Sequence, residues 1–160
     1  MKLKTVAAVS ALLCAAIAAP AFAASPDVYV VNFRNAKDAK SQQLDAQLRS
    51  GLAMAGINAE EVVIDTSTAA KWEKGAHEAF DRDIVPVFNK WVGLPGFAAV
   101  VDAKTKRVIG CVNSTFQARE IARELQKMAS SAQGQAFMSR ASVSAKTTRC
   151  PAAHNVDPLG

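Results

Sequence analysis

Apolar residues recur along this chain in two rhythms, one short and one long. Asp27-Val28-Tyr29-Val30-Val31-Asn32-Phe33 is a run of β-branched and aromatic residues that predicts a buried strand. After the polar stretch 34–38 the period lengthens. Leu44, Leu48, Leu52 and Ala55 recur at helical spacing, and Gly56 supplies a stop. Residues 61–65 predict a second strand. Thr66 or Ser67 is suited to cap a second helix with Trp72, Ala76 and Phe80 on one stripe, and Pro86 ends or kinks it. Val87 to Trp91 offers one further turn.

A Gly-Leu-Pro-Gly segment (93–96) then opens the apolar run Phe97-Ala98-Ala99-Val100-Val101-Asp102. A turn at 103–106 leads into Arg107-Val108-Ile109-Gly110-Cys111-Val112. Two apolar runs this close together, bounded by turn residues, predict a β-hairpin. The residue before a proline is pushed out of helical space, so Leu94 is extended, and the Leu94-Pro95 bond is open to either isomer. Ser114-Thr115-Phe116-Gln117 matches a capping box. Ala118, Ile121, Leu125 and Met128 follow at helical spacing to about Ala129. The predicted order is β-α-β-α-β-β-α, an α/β domain over 24–129. The Ser- and Ala-rich tail 130–160 carries room for a short helix at 133–140.

The first 23 residues fall outside this pattern. Lys2 and Lys4 precede an apolar run from Val6 to Ala19, and Ala21-Phe22-Ala23 is a small-x-small cleavage site. That is the three-part pattern of a signal peptide, and the apolar run is too short for a comfortable membrane span. The expectation is a periplasmic or secreted protein cut after Ala23, with no membrane span left after cleavage. Nineteen Lys and Arg face fourteen Asp and Glu, and the cut removes two cations and no acid, leaving a net charge of +3. The charge is spread along the chain without a basic run interleaved with aromatics, so nucleic acid is not an expected partner.

Export also changes the meaning of the cysteines. Cys14 leaves with the signal, and Cys111 and Cys150 stay. Two cysteines in an oxidising compartment suggest one disulfide pinning the tail to the hairpin, with two free thiols as the alternative.

The element order, with Leu94-Pro95 opening the third strand, resembles the thioredoxin-like fold. In that family a cis-proline begins the hairpin, and the resemblance implies the same for Pro95. Redox members carry Cys-x-x-Cys at the start of the first helix, where this chain reads Asn35-Ala36-Lys37-Asp38. Dithiol chemistry needs a thiolate at a helix N-terminus with a resolving partner nearby, and neither cysteine has that setting. The run 94–102 with Val108-Ile109-Gly110 is also similar to exported thioredoxin-like proteins of bacterial conjugation and type IV secretion systems. By this resemblance, a groove formed by Asn35, Ala36, Trp91, Leu94 and Pro95 would take an extended protein segment by β-addition.

Other chemistry is thinly supplied. Glu73, His77 and Asp81 at i, i+4 and i+8 are a candidate metal-holding face, against the plainer reading of a solvated polar face. There is no Gly-x-Ser-x-Gly and no helix-opening glycine loop, and the only histidines are His77 and His154. The adjacent acids Glu60 and Glu61 point to opposite faces of a strand and make a poor acid–base pair. Trp72, Phe88, Trp91 and Phe97 read mainly as core. The leading expectation is a non-enzymatic binding or assembly factor with a protein partner and no cofactor. The alternatives are an atypical thiol–disulfide oxidoreductase using Cys111 and Cys150, or a small metal-binding protein.

Overall fold

In the computed structural model, which describes residues 25–132 and 149–153, the two central strands are the apolar runs that follow Asp27 and Gly96. β1 (Val28–Arg34) pairs in parallel with β2 (Ala59–Asp65) and antiparallel with β3 (Phe97–Asp102). β4 (Val108–Asn113) pairs antiparallel with β3, so the mixed sheet runs β2-β1-β3-β4. Strands covered on both faces must be apolar at successive positions, which is why β3 is buried from end to end.

Helices cover the two faces. α1 (Ala39–Ala55) and α4 (Ala118–Ala132) pack on one, where Leu44 and Leu48 meet Val28, Val30, Ala98, Ile121 and Leu125. α2 (Ala69–Asp81) and α3 (Val85–Trp91) pack on the other, over Val31, Phe33, Val62, Ile64 and Val101. The described residues thus form a single α/β domain of four strands and four helices.

α1 begins at Asp38, whose carboxylate accepts from the Ser41 N–H at 2.7 Å, and it ends at Gly56 with φ +60°. The left-handed turn there suits glycine. At three other boundaries the structure differs from the expected one. α2 is capped by Thr68, because Thr66 Oγ1 bonds the Arg34 carbonyl and the Ser67 N–H bonds Asp65. α3 is a separate seven-residue helix, so the order is β-α-β-α-α-β-β-α. Pro86 starts it rather than ending α2, since a first-turn N–H has no partner to lose. α4 starts three residues beyond the Ser114 box. Asn113 Oδ1 accepts from the Thr115 N–H at 2.9 Å, and Glu120 reaches back to the Gln117 N–H at 2.9 Å, which is the acidic half of a capping box one turn later.

Large apolar side chains do not all go inside. α2 meets the sheet through Gly75 and Ala79, while Trp72 is 46% and Phe80 73% exposed. Trp72 leans edge-on against Phe88, with ring centroids 5.9 Å apart. No helix among the described residues is long and apolar enough to cross a membrane. The expected cleavage site after Ala23, the expected short helix at 133–140 and His154 lie outside the described residues.

Candidate functional site

The end of β1, the first turn of α1 and the bend before β3 meet at one corner of the domain. Asn35 and Ala36 follow β1 directly, and their backbones are held locally. Asn35 N–H donates to Ser41 Oγ at 3.1 Å, and the Ala36 carbonyl accepts from Gln42 Nε2 at 2.8 Å. Ser41 Oγ in turn donates to Asp38 Oδ2 at 3.0 Å. A carboxylate therefore closes the start of α1.

The bend reaches this corner from the other side. Gly93 and Gly96 both take left-handed φ, at 90° and 91°, and reverse the chain around Leu94-Pro95. Gly96 N–H then donates to the Phe33 carbonyl at 2.9 Å. A side chain at Gly96 would sit 2.9 Å from Lys40 Cβ, so the bend and the first turn of α1 are in close approach. Leu94-Pro95 is trans, and there is no cis peptide among the described residues, unlike the proline the resemblance implied. The two glycines make the reversal without it.

Of the expected groove residues, Asn35, Ala36 and Leu94 are half-buried and Pro95 is exposed. Trp91 is different. At 1% exposure it lies beneath the surface rather than in a groove. Its ring packs edge-on against Phe33 and Phe97, which stack on each other with centroids 5.0 Å apart. Its indole N–H is buried and needs an acceptor, and it finds one in the Pro151 carbonyl at 3.0 Å.

That acceptor belongs to the tail, and the tail is held by sulfur. Cys111 lies on β4 opposite Ala99, and its side chain faces the α2–α3 side of the sheet. It is bonded to Cys150 with S–S 2.06 Å. The two expected cysteines are thus together, and residues 149–153 lie where Cys150 joins the apolar cluster around Trp91.

The candidate metal face is not assembled. Glu73, His77 and Asp81 are exposed along α2, and no three His, Cys, Asp or Glu side chains among the described residues gather to hold a metal ion.

A second site went unread in the sequence. On the α1 side of the sheet, β1 begins with Val28 and Val30 but continues with Asn32 and Arg34. Next to them stand Glu61, Val63 and Asp65 of β2 and, one turn apart on α1, Asp45 and Arg49. Asn32 is 2% exposed, and its Nδ2 donates to Asp45 Oδ1 and Glu61 Oε1, both at 3.0 Å. Arg34 pairs with Asp45 at 3.0 Å and lies 3.7 Å from Asp65, which also binds Lys71 Nζ at 3.1 Å. Burial pushes the Asp65 carboxyl up, but hydrogen bonds from Ser67 and the Lys71 ammonium outweigh it and hold it below the usual range.

Asn32, Arg34, Asp45, Arg49, Glu61 and Val63 line a pocket of about 110 Å³. Two buried atoms there have no partner: Asn32 Oδ1 and Arg34 Nε. The signal in the sequence was the alternation Val28, Val30, Asn32, Arg34 on one face, which turns polar halfway along a strand otherwise apolar. No known protein family, curated protein or solved structure matches the chain.

Proposed function

We infer that this chain is an exported binding or assembly factor, non-enzymatic, built on a thioredoxin-like scaffold that has lost its redox chemistry and serves a periplasmic secretion or conjugation apparatus. The sheet order β2-β1-β3-β4, with two helices on each face, is compatible with that scaffold. The observation that carries the reading is the start of α1, where the Asp38 carboxylate and Ser41 occupy the place of a nucleophilic thiolate. Both available cysteines are spent on each other, with Cys111 inside a strand. A helix start without a thiol has nothing to exchange.

On this reading the working surface is the corner of Asn35, Ala36, Leu94 and Pro95, with Trp91 as the buried support beneath it. Its partner is an extended protein segment laid beside Pro95, using main-chain hydrogen bonds for affinity. The N-terminal 23 residues serve as the export signal.

Thiol trapping of the exported protein across a glutathione series, read by mass, tests this. The expected result is a Cys111–Cys150 bridge that opens only under strongly reducing conditions, together with a periplasmic protein captured by a photo-crosslinker at Pro95. A bridge that opens near the poise of the compartment, with a disulfide-exchange activity lost in Cys111→Ser, would replace this reading with that of a thiol–disulfide enzyme.

A further inference from the structure

The pocket between α1 and β2 holds a balance of charges with two unmet needs. Asn32 cannot be turned round to meet its own. Its Nδ2 already donates to two carboxylates, and the flipped amide would set an oxygen acceptor against both of them. Oδ1 therefore stays a buried acceptor awaiting a donor, and Arg34 Nε stays a buried donor awaiting an acceptor. Buried polar atoms are nearly always paired in folded proteins, and the exceptions point to something that completes them.

The rim carries the same two needs outward. Among the described residues the Arg49 guanidinium has no hydrogen-bond or ion-pair partner, although it lines the pocket. Glu61 uses only Oε1 on Asn32. The lining thus offers guanidinium donors from Arg34 and Arg49 together with acceptors from Asn32 and Glu61. Guanidinium groups suit a carboxylate, and a carboxylate beside an amide oxygen suits an ammonium. Exposed Val63 supplies the only apolar lining. The space is several times what one water needs, yet too small for a large side chain.

We propose that this pocket binds a free α-amino acid with a small side chain, its carboxylate on Arg34 and Arg49 and its ammonium on Asn32 Oδ1 and Glu61. The site is separate from the corner at Pro95 and does not depend on it. Zwitterion recognition explains why the cluster keeps equal numbers of acidic and basic groups. A pocket for a simple anion would have no use for the paired carboxylates around Asn32.

The test is a titration of the isotope-labelled exported protein with L-alanine, followed by amide resonances. Acetate and methylammonium serve as probes carrying one charged end each. The expected result is saturable shifts at Asn32, Arg34, Glu61 and Val63 with Kd on the order of 1 mM, and at least about tenfold weaker binding of either single-ended probe. Arg49→Ala, an exposed change that leaves the fold intact, should weaken alanine binding at least about tenfold. Absence of saturable shifts up to about 50 mM alanine would overturn the proposal and leave water as the occupant. Acetate binding as well as alanine, or unchanged binding in Arg49→Ala, would overturn it equally.

Discussion

Asp102 shows how one side chain can set a turn. It ends β3, and its Oδ1 accepts from the backbone N–H groups of Lys104 at 2.9 Å and Thr105 at 2.7 Å. Lys106 follows with a left-handed φ of 60° and folds its ammonium over the Tyr29 ring. The Thr105 hydrogen bond holds the Asp102 carboxyl below the usual range against burial, which pushes it up, and Lys104 adds to the lowering. A carboxyl whose pKa is depressed by folding lends stability above the unfolded-state value, near 3.9, and that stability is lost as pH falls through the folded-state value. Asp102→Ala should therefore cost about 1–2 kcal/mol at pH 7, by the loss of two charge-assisted hydrogen bonds. Melting curves of the two proteins should converge as pH falls below about 4. A gap that stayed constant with pH would mean that the turn, and not the charge, is what Asp102 supplies.

At the scale of elements, two helix glycines make opposite demands. Gly51 lies where α1 crosses α4, and a Cβ there would stand 2.6 Å from Ile121 Cγ2 and 3.1 Å from the Ala118 carbonyl. Gly75 of α2 sits over β2, where a Cβ would find Ile64 at 3.4–3.5 Å, an ordinary contact. Alanine is the better helix former by about 1 kcal/mol, so packing decides the sign. Gly75→Ala should stabilise by up to about 1 kcal/mol, and Gly51→Ala should destabilise by about 1–3 kcal/mol as the helices part. Chemical denaturation of both variants checks the pair. The same contrast explains what the sequence made legible. β1, α1 and the hairpin carry long apolar periods set by what they bury, and they could be read directly. α2 could not. Its stripe of Trp72, Ala76 and Phe80 is the conspicuous one, yet the helix docks through Gly75 and Ala79, whose small size leaves no hydropathy signal. α3 was blurred because Pro86 is both a helix breaker and a good first-turn residue. The corner at Pro95 was readable as turn chemistry. The Asn32 pocket was not, because its members come from three elements that only the pairing of β1 with β2 and the packing of α1 bring together.

Across the whole molecule, the last described segment acts as a clasp on a core that is already complete. Phe33, Trp91 and Phe97 are held by β1, α3 and β3, and the tail contributes the Cys150 sulfur and the Pro151 carbonyl at their edge. The bridge spans 39 residues, and in the chain-entropy account a loop of that length restricts the unfolded state by about 4 kcal/mol. Cys150→Ser should remove most of that stability while leaving the sheet intact. Cys111→Ser should cost a similar amount, and the double variant little more, since the two changes break one bond. The tail's second contact gives an independent readout. With Trp72 replaced by phenylalanine, the emission comes from Trp91 alone, the chain's only other tryptophan. Freed of its bridge, the tail no longer presents the Pro151 carbonyl, and the indole N–H must turn to water. The emission of Cys150→Ser in that background should shift to the red without loss of the helical signal. An unshifted spectrum would mean that Pro151 stays on Trp91 without sulfur, and that the bridge secures a contact the tail already makes by itself.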